Sequence, residues 1–395
     1  MNRIANRPCP ICSEMNVDVL HSQRFVLPAG HPLANGYDVV VCLRCGFVYA
    51  DSLVTQAAYD TYYAQYSKYE DNKTGTGSGE NAWDRQRLED TARQIAEFLQ
   101  NPNARVLDIG CANGGLLTEL KKLGYEELVG MDPSPVCVEN TRKAGIRAEV
   151  GSLFRPLAQE KFDCVILSHT LEHIQDLSAA GLWVAGALKE SKSSFVYIEV
   201  PDAGRYADFL SAPFQDFNTE HINHFSMTCL HNYLFMNGFE PLQWGDKIIS
   251  ASSNKPYPAI FCFARRTEVQ NKIQKDGELR QNIENYITLS RSILDEMDRR
   301  ITRALADSQR IIVWGTGQLV MKLLVETSLA KAEIVAFVDS NPINQGKSLL
   351  GIEVIAPEKV TDFIEPIFIT STLHQESIIE QIKRMKLPNR LLLLE

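Results

Sequence analysis

The sequence lacks any apolar run of the ~18 residues that a membrane-spanning helix needs, so it predicts no membrane segment. Its first residues, MNRIANRPCPIC, contain no apolar stretch typical of a secretion signal, which favours a cytoplasmic location. It also lacks an excess of positive charge. The formal net charge of −9 argues against nucleic acid as the main partner. The sequence also has no short-period repeat. Its composition is that of a soluble globular enzyme.

At 395 residues the chain is too long for one hydrophobic core. Predicted strands and helices alternate twice along it, which indicates α/β domains built on parallel sheets. We therefore predict a central Rossmann-like domain and a smaller C-terminal one, preceded by a metal-binding module. The predicted division is a module at residues 1–55, a tyrosine-rich lid or linker at 56–80, the central domain at 81–265, bridging helices at 266–308 and the C-terminal domain at 309–395.

A strand, a glycine turn and a helix are predicted from VLDIGCANG at residues 106–114. Glycines at such a turn let the backbone approach a ligand closely, and helix N–H groups face that ligand. Asp108 is expected to bind an ammonium group, and Asp132, after the next strand, is expected to accept hydrogen bonds from two ribose hydroxyls. The stretch lacks the G-x-G-x-x-G spacing of dinucleotide-binding turns.

This stretch and the following VGMD resemble motif I and its partner acid in class I S-adenosylmethionine (SAM) methyltransferases. Ala112 replaces the glycine that is most common in that motif. The resemblance implies SAM as the cofactor, with Asp108 on its methionyl ammonium. Predicted cofactor-binding residues also lie in the turn and after the later strands: Gly110, Cys111, Ala112, Gly114, Pro133, Ser152, Leu153 and His169.

In a reducing compartment the nine cysteines should stay reduced, so a paired cysteine pattern favours metal binding or a chemical role over disulfide bonds. Cys9-x-x-Cys12 and Cys42-x-x-Cys45 can each supply two thiolates to one tetrahedral Zn²⁺. Four thiolates leave no position for water, so the predicted zinc is structural. It substitutes for the hydrophobic core that so short a module cannot build.

Two clusters combine histidines with acids. The first is HTLEH at 169–173, whose residues fit a role in packing or cofactor contact as well as a role in catalysis. The second, TEHINHFS at 219–226, contains the predicted general base, His221, with Glu220 beside it. Asn223 and His224 are candidates for substrate contact, although packing is favoured for His224. A segment containing the tyrosines Tyr59, Tyr62, Tyr63, Tyr66 and Tyr69 is either a lid over the substrate or a packing stripe.

Four N-terminal cysteines, a tyrosine-rich segment, a SAM turn, the EH…FS motif and a C-terminal Rossmann-like unit together resemble the nucleotide-sugar C-methyltransferases of deoxysugar biosynthesis. The resemblance spans essentially the whole chain. It implies a nucleoside-diphosphate 4-keto-6-deoxyhexose as substrate, deprotonated next to the ketone (at C3) and methylated on carbon. It also implies a catalytic His–Glu pair and tyrosine, matched here by His221, Glu220 and Tyr66. Tyr63 and Tyr69 are the other matches for that tyrosine and are expected to bind substrate.

Two features depart from that family. HTLEH at 169–173 replaces an asparagine-rich stretch, and the C-terminal unit resembles small Rossmann units of other sugar-modifying proteins. In that unit Gly315-Thr316-Gly317 follows a strand and Asp339 ends the next, but Val320 occupies the third glycine position. This unit either supplies part of a nucleotide-sugar pocket or is a scaffold.

Two other functions are compatible with these residues. One is O- or N-methylation of a sugar or another small metabolite, where proximity alone can suffice and His221 matters less. The other is a non-catalytic zinc scaffold that binds SAM, against which the Asp108 and Asp132 pair and the candidate base argue.

Overall fold

The computed structural model describes residues 2–66, 77–154, 160–252, 255–269, 272–372 and 375–394. The chain forms two compact units, each assembled from three stretches of sequence. The first unit comprises Met1–Leu20, Val39–Phe209 and Glu220–Ile283. The second comprises His21–Asp38, Leu210–Thr219 and Glu284–Glu395.

The N-terminal strands form a sheet in the order β1-β2-β3-β4-β10. Its members are β1 (Asn2–Ile4), β2 (Asn16–Arg24), β3 (Gly36–Cys42), β4 (Val48–Asp51) and the short β10 (Asn223–His224). β10 pairs antiparallel with β4, with Asn223 opposite Tyr49 and His224 opposite Val48. The segment that contains the predicted base is therefore fixed to the sheet that carries the cysteines, although about 170 residues separate them in the sequence.

The central sheet of the first unit has the order β11-β12-β9-β8-β5-β6-β7. Its strands are β5 (Val106–Ile109), β6 (Leu128–Asp132), β7 (Arg147–Val150), β8 (Cys164–Ser168), β9 (Phe195–Pro201), β11 (Phe239–Ser252) and β12 (Lys255–Arg266). β5 to β9 pair in parallel, as predicted. β12 is antiparallel to both β9 and β11, because β11 and β12 are joined directly as a hairpin without a crossover helix. β11 itself was not predicted.

Six α-helices of the described residues precede or alternate with these strands along the chain. They are α1 (Gln56–Tyr66), α2 (Ala82–Leu99), α3 (Gly115–Lys122), α4 (Pro135–Lys143), α5 (Leu177–Ala187) and α6 (Met227–Met236). Leu88 and Ile95 of α2 lie in the core with Leu117 of α3 and Ile166 of β8. Ser134 caps α4, accepting from the backbone N–H of Cys137 at 3.3 Å. None of the helices in the described ranges is both long and apolar enough to cross a membrane.

The second unit contains a further sheet in the order β15-β16-β14-β13-β17-β18. Its strands are β13 (Arg310–Trp314), β14 (Glu333–Val338), β15 (Ser348–Leu349), β16 (Ile352–Ile355), β17 (Ile367–Ile369) and β18 (Leu391–Leu393). α7 (Leu279–Asp307) is a single helix where several were predicted, and it precedes α8 (Gln318–Glu326) and α9 (Gln375–Arg384). The α/β class, with a central Rossmann-like domain, is as predicted from the sequence.

Candidate active site

The predicted cofactor turn lies at the carboxyl end of β5. Gly110 and Gly114 have φ of +74° and +76°, a region that favours glycine. A Cβ on Gly110 would lie 2.9 Å from Oγ1 of Thr170, and one on Gly114 would lie 2.7 Å from Cγ2 of Thr141. Both glycines are therefore required by backbone conformation and by close packing.

Asp132, at the end of β6, organises the same turn. Its two carboxylate oxygens accept the N–H of Ala112 at 2.9 Å and the N–H of Ser134 at 2.8 Å. Ala112 has a positive φ of 46°, so this hydrogen bond holds the small residue in a conformation that side chains disfavour. Each oxygen can accept a second hydrogen bond, which is compatible with the predicted ribose contact. Pro133 is half-buried between these partners, and Cys111 is buried.

Asp108 is buried in the sheet beside this turn. Burial, together with the nearby charge of Asp132, raises the pKa of Asp108 to about 8, and Arg87 opposes this rise. A carboxyl of this kind holds its proton at neutral pH until a cation approaches it. The predicted ammonium ligand is such a cation.

The end of the polar TGTGSGE stretch at residues 74–80 is held by a buried acid. Asp84 Oδ2 accepts the N–H groups of Gly77 and Gly79 at 2.8 and 2.9 Å. The Gly77 carbonyl in turn accepts the N–H of Gly115 at 2.9 Å. The described part of this loop is thus tied to the first residue of α3, next to the cofactor turn.

The helix α1 brings three tyrosines towards the two histidine–acid clusters. Tyr62 donates to Glu220 Oε1 at 3.1 Å, and Tyr63 Oη lies 2.9 Å from His173 Nδ1. Tyr59 is also buried. Tyr66 is the last residue of α1, but its side chain, like the whole of Tyr69, lies outside the described residues. Of the tyrosines predicted for the site, Tyr63 is the one whose side chain the structure places there.

The same helix lies against the loop after β7. Asp60 Oδ2 accepts from Ser152 Oγ at 3.4 Å, and the neighbouring Leu153 is buried. The residues predicted to touch adenine therefore lie beside the tyrosine-rich helix.

The HTLEH segment connects the cofactor turn with these tyrosines. Thr170 donates to the Ile109 carbonyl at 2.9 Å and lies against Gly110. His169, at a positive φ of 52°, has Nδ1 3.3 Å from Glu172 and Nε2 3.1 Å from Glu199. Burial lowers the pKa of His169, but these two carboxylates outweigh it and the net shift is upward. His169 therefore lies between two acids that favour its protonated form.

Glu199 is fully buried at the end of β9 and was not predicted as part of the site. Its ion-pair partner Lys247 comes from β11, and Tyr197 donates to its Oε2 at 2.6 Å. Burial alone would raise the pKa of Glu199, but Lys247 and His169 hold it well below its usual range. The signal for this pair was hidden because β11 was not recognised as a strand of the sheet.

The EH pair lies against HTLEH. The N–H of Ile222 donates to the Glu172 carbonyl at 2.8 Å, and the rings of His173 and His221 are edge to face with centroids 4.9 Å apart. Glu220 is buried, while His221 is partly exposed. The structure thus brings together four features: the predicted base His221, its neighbour Glu220, the HTLEH segment and the tyrosine-rich helix.

Asn223 and His224, predicted to contact substrate, are fully enclosed. Asn223 donates to the carbonyls of Leu171 and Ile174 at 2.9 and 2.7 Å, which joins the two clusters. His224 is buried edge-on to Tyr206. Burial, aided by the charge of Arg7, lowers the pKa of His224 to about 3, so it stays neutral. In this structure both side chains support the site from within the fold.

The four predicted zinc ligands form one buried group. Cys9 Sγ lies 3.6 Å from Cys45 Sγ, and Cys12 Sγ lies 3.4 Å from Cys42 Sγ. All four sulfurs lie within 4.8 Å of one another. Tetrahedral Zn–S bonds of about 2.3 Å set sulfur–sulfur separations of about 3.8 Å, so the arrangement fits one zinc ion closed to water. The other five cysteines are buried.

In the second unit, the predicted GTG turn is closed by its own acid. Asp339 accepts from the N–H of Thr316 at 3.1 Å, from its hydroxyl, and from the N–H of Asn341 at 2.8 Å. Gly315 has a positive φ of 108°. The strand–turn–helix of a nucleotide fold is present, and these contacts support the turn without indicating a ligand.

Comparisons with known proteins agree with this geometry. A family model described as "Methyltransferase domain" matches residues 83–243, and one described as "C2185-like, N-terminal" matches residues 307–392. No curated protein matches the chain.

Solved structures similar to part of the chain include three SAM-dependent methyltransferases. One from Methanosarcina mazei is 16% identical, with a TM-score of 0.38, and the match covers 44% of this chain and 97% of that one. One from Clostridium acetobutylicum is 13% identical, with a TM-score of 0.37 and coverage of 46% and 92%. One from Mesorhizobium loti is 17% identical, with a TM-score of 0.36 and coverage of 45% and 100%. By the family model, residues 83–243 form a methyltransferase domain.

Proposed function

We propose that this methyltransferase acts on a carbon acid: the carbon next to the ketone of a nucleoside-diphosphate 4-keto-6-deoxyhexose. The observation that carries the proposal is the position of His221. It adjoins His173, whose segment also lies against Gly110 of the cofactor turn through Thr170. A histidine at this position can take a proton from a substrate carbon that faces the cofactor.

The proposed chemistry begins with the acidity of the substrate. A C3 proton next to a C4 ketone is acidified because its loss gives an enolate, and His221 takes that proton. Glu220, whose Oε1 accepts from the Tyr62 hydroxyl at 3.1 Å, is proposed to supply a negative charge that favours the imidazolium formed. Tyr63 is proposed to contact the same substrate. When bound, SAM supplies an activated methyl group, which forms a bond to C3 as its bond to sulfur breaks.

For the cofactor we propose the residues around the turn. Asp108 would meet the methionyl ammonium and Asp132 the ribose hydroxyls, with Gly110, Cys111, Ala112, Gly114 and Pro133 forming the turn. Ser152 and Leu153 would line the adenine side. His169 would lie nearby between its two acids.

The reaction is tested by proton exchange in the absence of SAM. The protein is incubated in D₂O with a panel of nucleoside-diphosphate 4-keto-6-deoxyhexoses, and deuterium at C3 is followed by NMR. We expect uptake at C3 for at least one member, followed by methylation of the same carbon when SAM is added. Methyl found on oxygen or nitrogen, without exchange at C3, would establish the alternative reaction.

The proposed role of Asp108 predicts that SAM affinity depends on pH. Because the free protein has a pKa of about 8 at Asp108, the carboxyl must lose a proton when it meets the ammonium at neutral pH. We expect SAM affinity to rise by about tenfold from pH 6 to pH 7, since one pKa unit is about 1.4 kcal/mol. Titration calorimetry in two buffers of different ionisation enthalpy should detect the released proton.

Asp108→Asn is the matched control for this pH effect, because it keeps the shape and removes the titration. Its SAM affinity should be weaker and nearly constant over the same range. A wild-type affinity that is equally flat would contradict the proposed contact with Asp108.

A further inference from the structure

Glu172, His173 and His221, here termed the Glu-His-His cluster, lie together beside the cofactor turn. One side-chain ligand atom from each lies within 4.8 Å of the other two. Glu172 and His173 are buried, and His221 is partly exposed, so one side of the cluster is open. We infer that this cluster binds a first-row transition-metal dication such as Zn²⁺, and that the bound metal inhibits methyl transfer.

The orientation of His173 supports this inference. Its Nδ1 lies 3.1 Å from the carbonyl oxygen of Glu220, and a carbonyl can only accept a hydrogen bond. Tyr63 Oη lies 2.9 Å from the same nitrogen and can accept as well as donate, so the carbonyl favours the tautomer with the proton on Nδ1, which leaves a lone pair on Nε2. That nitrogen lies 3.8 Å from Glu172 Oε1. A histidine that donates through one nitrogen to a backbone carbonyl and offers the other to the site is the arrangement typical of metal-binding histidines.

The buried carboxylate of Glu172 supports the inference independently of His173. Its residue is 1% exposed, and within the described ranges neither carboxylate oxygen has a hydrogen-bond partner. His169 Nδ1 lies 3.3 Å from Oε1, at ion-pair distance, and the other nitrogen of the same ring faces Glu199. A buried carboxylate needs compensation by charge or hydrogen bonds. A dication between Oε1 and the lone pair on His173 would supply it.

The donor set selects the kind of metal. Two imidazoles and one carboxylate suit Zn²⁺, Fe²⁺, Co²⁺ or Ni²⁺, whereas Mg²⁺ and Ca²⁺ prefer all-oxygen sites. Metal bonds of about 2.0–2.2 Å place ligand atoms about 3–4 Å apart, so the side chains need to approach by less than about 2 Å. The cluster contains no thiolate, which distinguishes it from the four-cysteine site in the same unit.

The inhibitory effect rests on the proposed function of His221 as the base. An imidazole that binds a metal through one nitrogen keeps a proton on the other, so no lone pair remains to accept a proton from carbon. Metal binding and proton uptake by His221 are therefore mutually exclusive. HTLEH creates this competition, because it places the ligand atoms of Glu172 and His173 within 4.8 Å of that of His221.

Metal stoichiometry tests the site without substrate or SAM. The full chain, reduced and dialysed against Zn²⁺, is compared with Glu172→Gln and His173→Gln, and His231→Gln serves as the control because His231 packs on Trp244 outside the cluster. We expect both cluster variants to hold one Zn²⁺ per chain fewer than the wild type and the control. Equal zinc content in all four proteins would overturn the site.

Co²⁺ substitution tests the site in wild-type protein, so its result does not depend on whether a variant folds. Wild-type protein should show visible d–d bands that titrate separately from the intense thiolate charge-transfer bands of the four-cysteine site. If every Co²⁺ bound to wild-type protein has thiolate character, the cluster binds no metal and the inference fails.

Activity tests the inhibitory role separately. Zn²⁺ added to the wild-type enzyme that already holds its four-cysteine zinc should lower C3 exchange by at least tenfold, and a chelator too weak to remove the four-cysteine zinc should restore it. The two cluster variants should lose this sensitivity relative to their own rates before Zn²⁺ is added. Zinc in the cluster that raises the exchange rate would overturn inhibition, whereas no exchange at all in protein with only the four-cysteine zinc would contradict the proposed function and leave the metal result standing.

Discussion

His221→Ala should lower the rate of methyl transfer by a factor of about 10²–10⁴, the range that a positioned general base contributes. The same variant should lose deuterium exchange at C3, because both processes need the proton removed. SAM affinity should change by less than about twofold, since the proposed cofactor contacts lie on β5, β6 and their turns. Measuring kcat, exchange and SAM binding on one preparation separates these effects.

The control for this variant is His231→Ala, which removes another half-buried histidine of the first unit, one that packs against Trp244. It should keep activity within a small factor, as expected for a histidine outside the cluster. Glu220→Gln should have an intermediate effect, because it removes the charge beside the base but keeps a partner for the Tyr62 hydroxyl at 3.1 Å. A His221→Ala enzyme with unchanged exchange would remove the base assignment and favour reaction by proximity alone.

Cys42→Ser should remove the structural zinc and unfold the N-terminal sheet. Cys42 is 1% exposed and is the last residue of β3, and its Sγ lies 3.4 Å from Cys12 Sγ. Structural zinc contributes about 10–16 kcal/mol of apparent binding free energy in small zinc modules, comparable to the stability of a whole domain. We therefore expect loss of one zinc per chain and a thermal transition lowered by well over 10 °C, by roughly 2–4 °C for each kcal/mol lost.

Cys164→Ala is the matched control, because Cys164 is equally buried but lies in β8, away from the four-cysteine group. It should keep its zinc and lose only about 1–2 kcal/mol, the cost of a small core cavity. If Cys42→Ser keeps the full zinc content and the wild-type transition, the four cysteines do not hold a structural metal.

The loss of the four-cysteine zinc should also affect the active site. β4 of the cysteine-bearing sheet pairs with β10, and β10 directly follows Glu220 and His221. Cys42→Ser, which loses the four-cysteine zinc, should therefore reduce activity even though no cysteine is proposed to touch the substrate. The zinc would act on catalysis by positioning the EH segment.

Local sequence patterns predicted the parts of this molecule that depend on neighbouring residues. The buried strand VLDI, the turn beginning at Gly110 and the helix after it follow from a short apolar run and glycine conformations. The four cysteines were paired from their spacing alone, and the structure places their sulfurs together. Such signals are readable because each is complete within a few residues.

Tertiary structure alone decided which side chains meet at the candidate site. α1 could have presented any of its tyrosines, and the rotation of the helix selected Tyr62 for Glu220 and Tyr63 for His173. Lys247 reaches Glu199 only because β11 completes the sheet through β12. Contacts between residues dozens of positions apart depend on sheet order and helix rotation, which local periodicity does not encode. The sequence by itself therefore determined the cofactor turn and the cysteine set, and the fold decided that Glu172, His173 and His221 form one cluster.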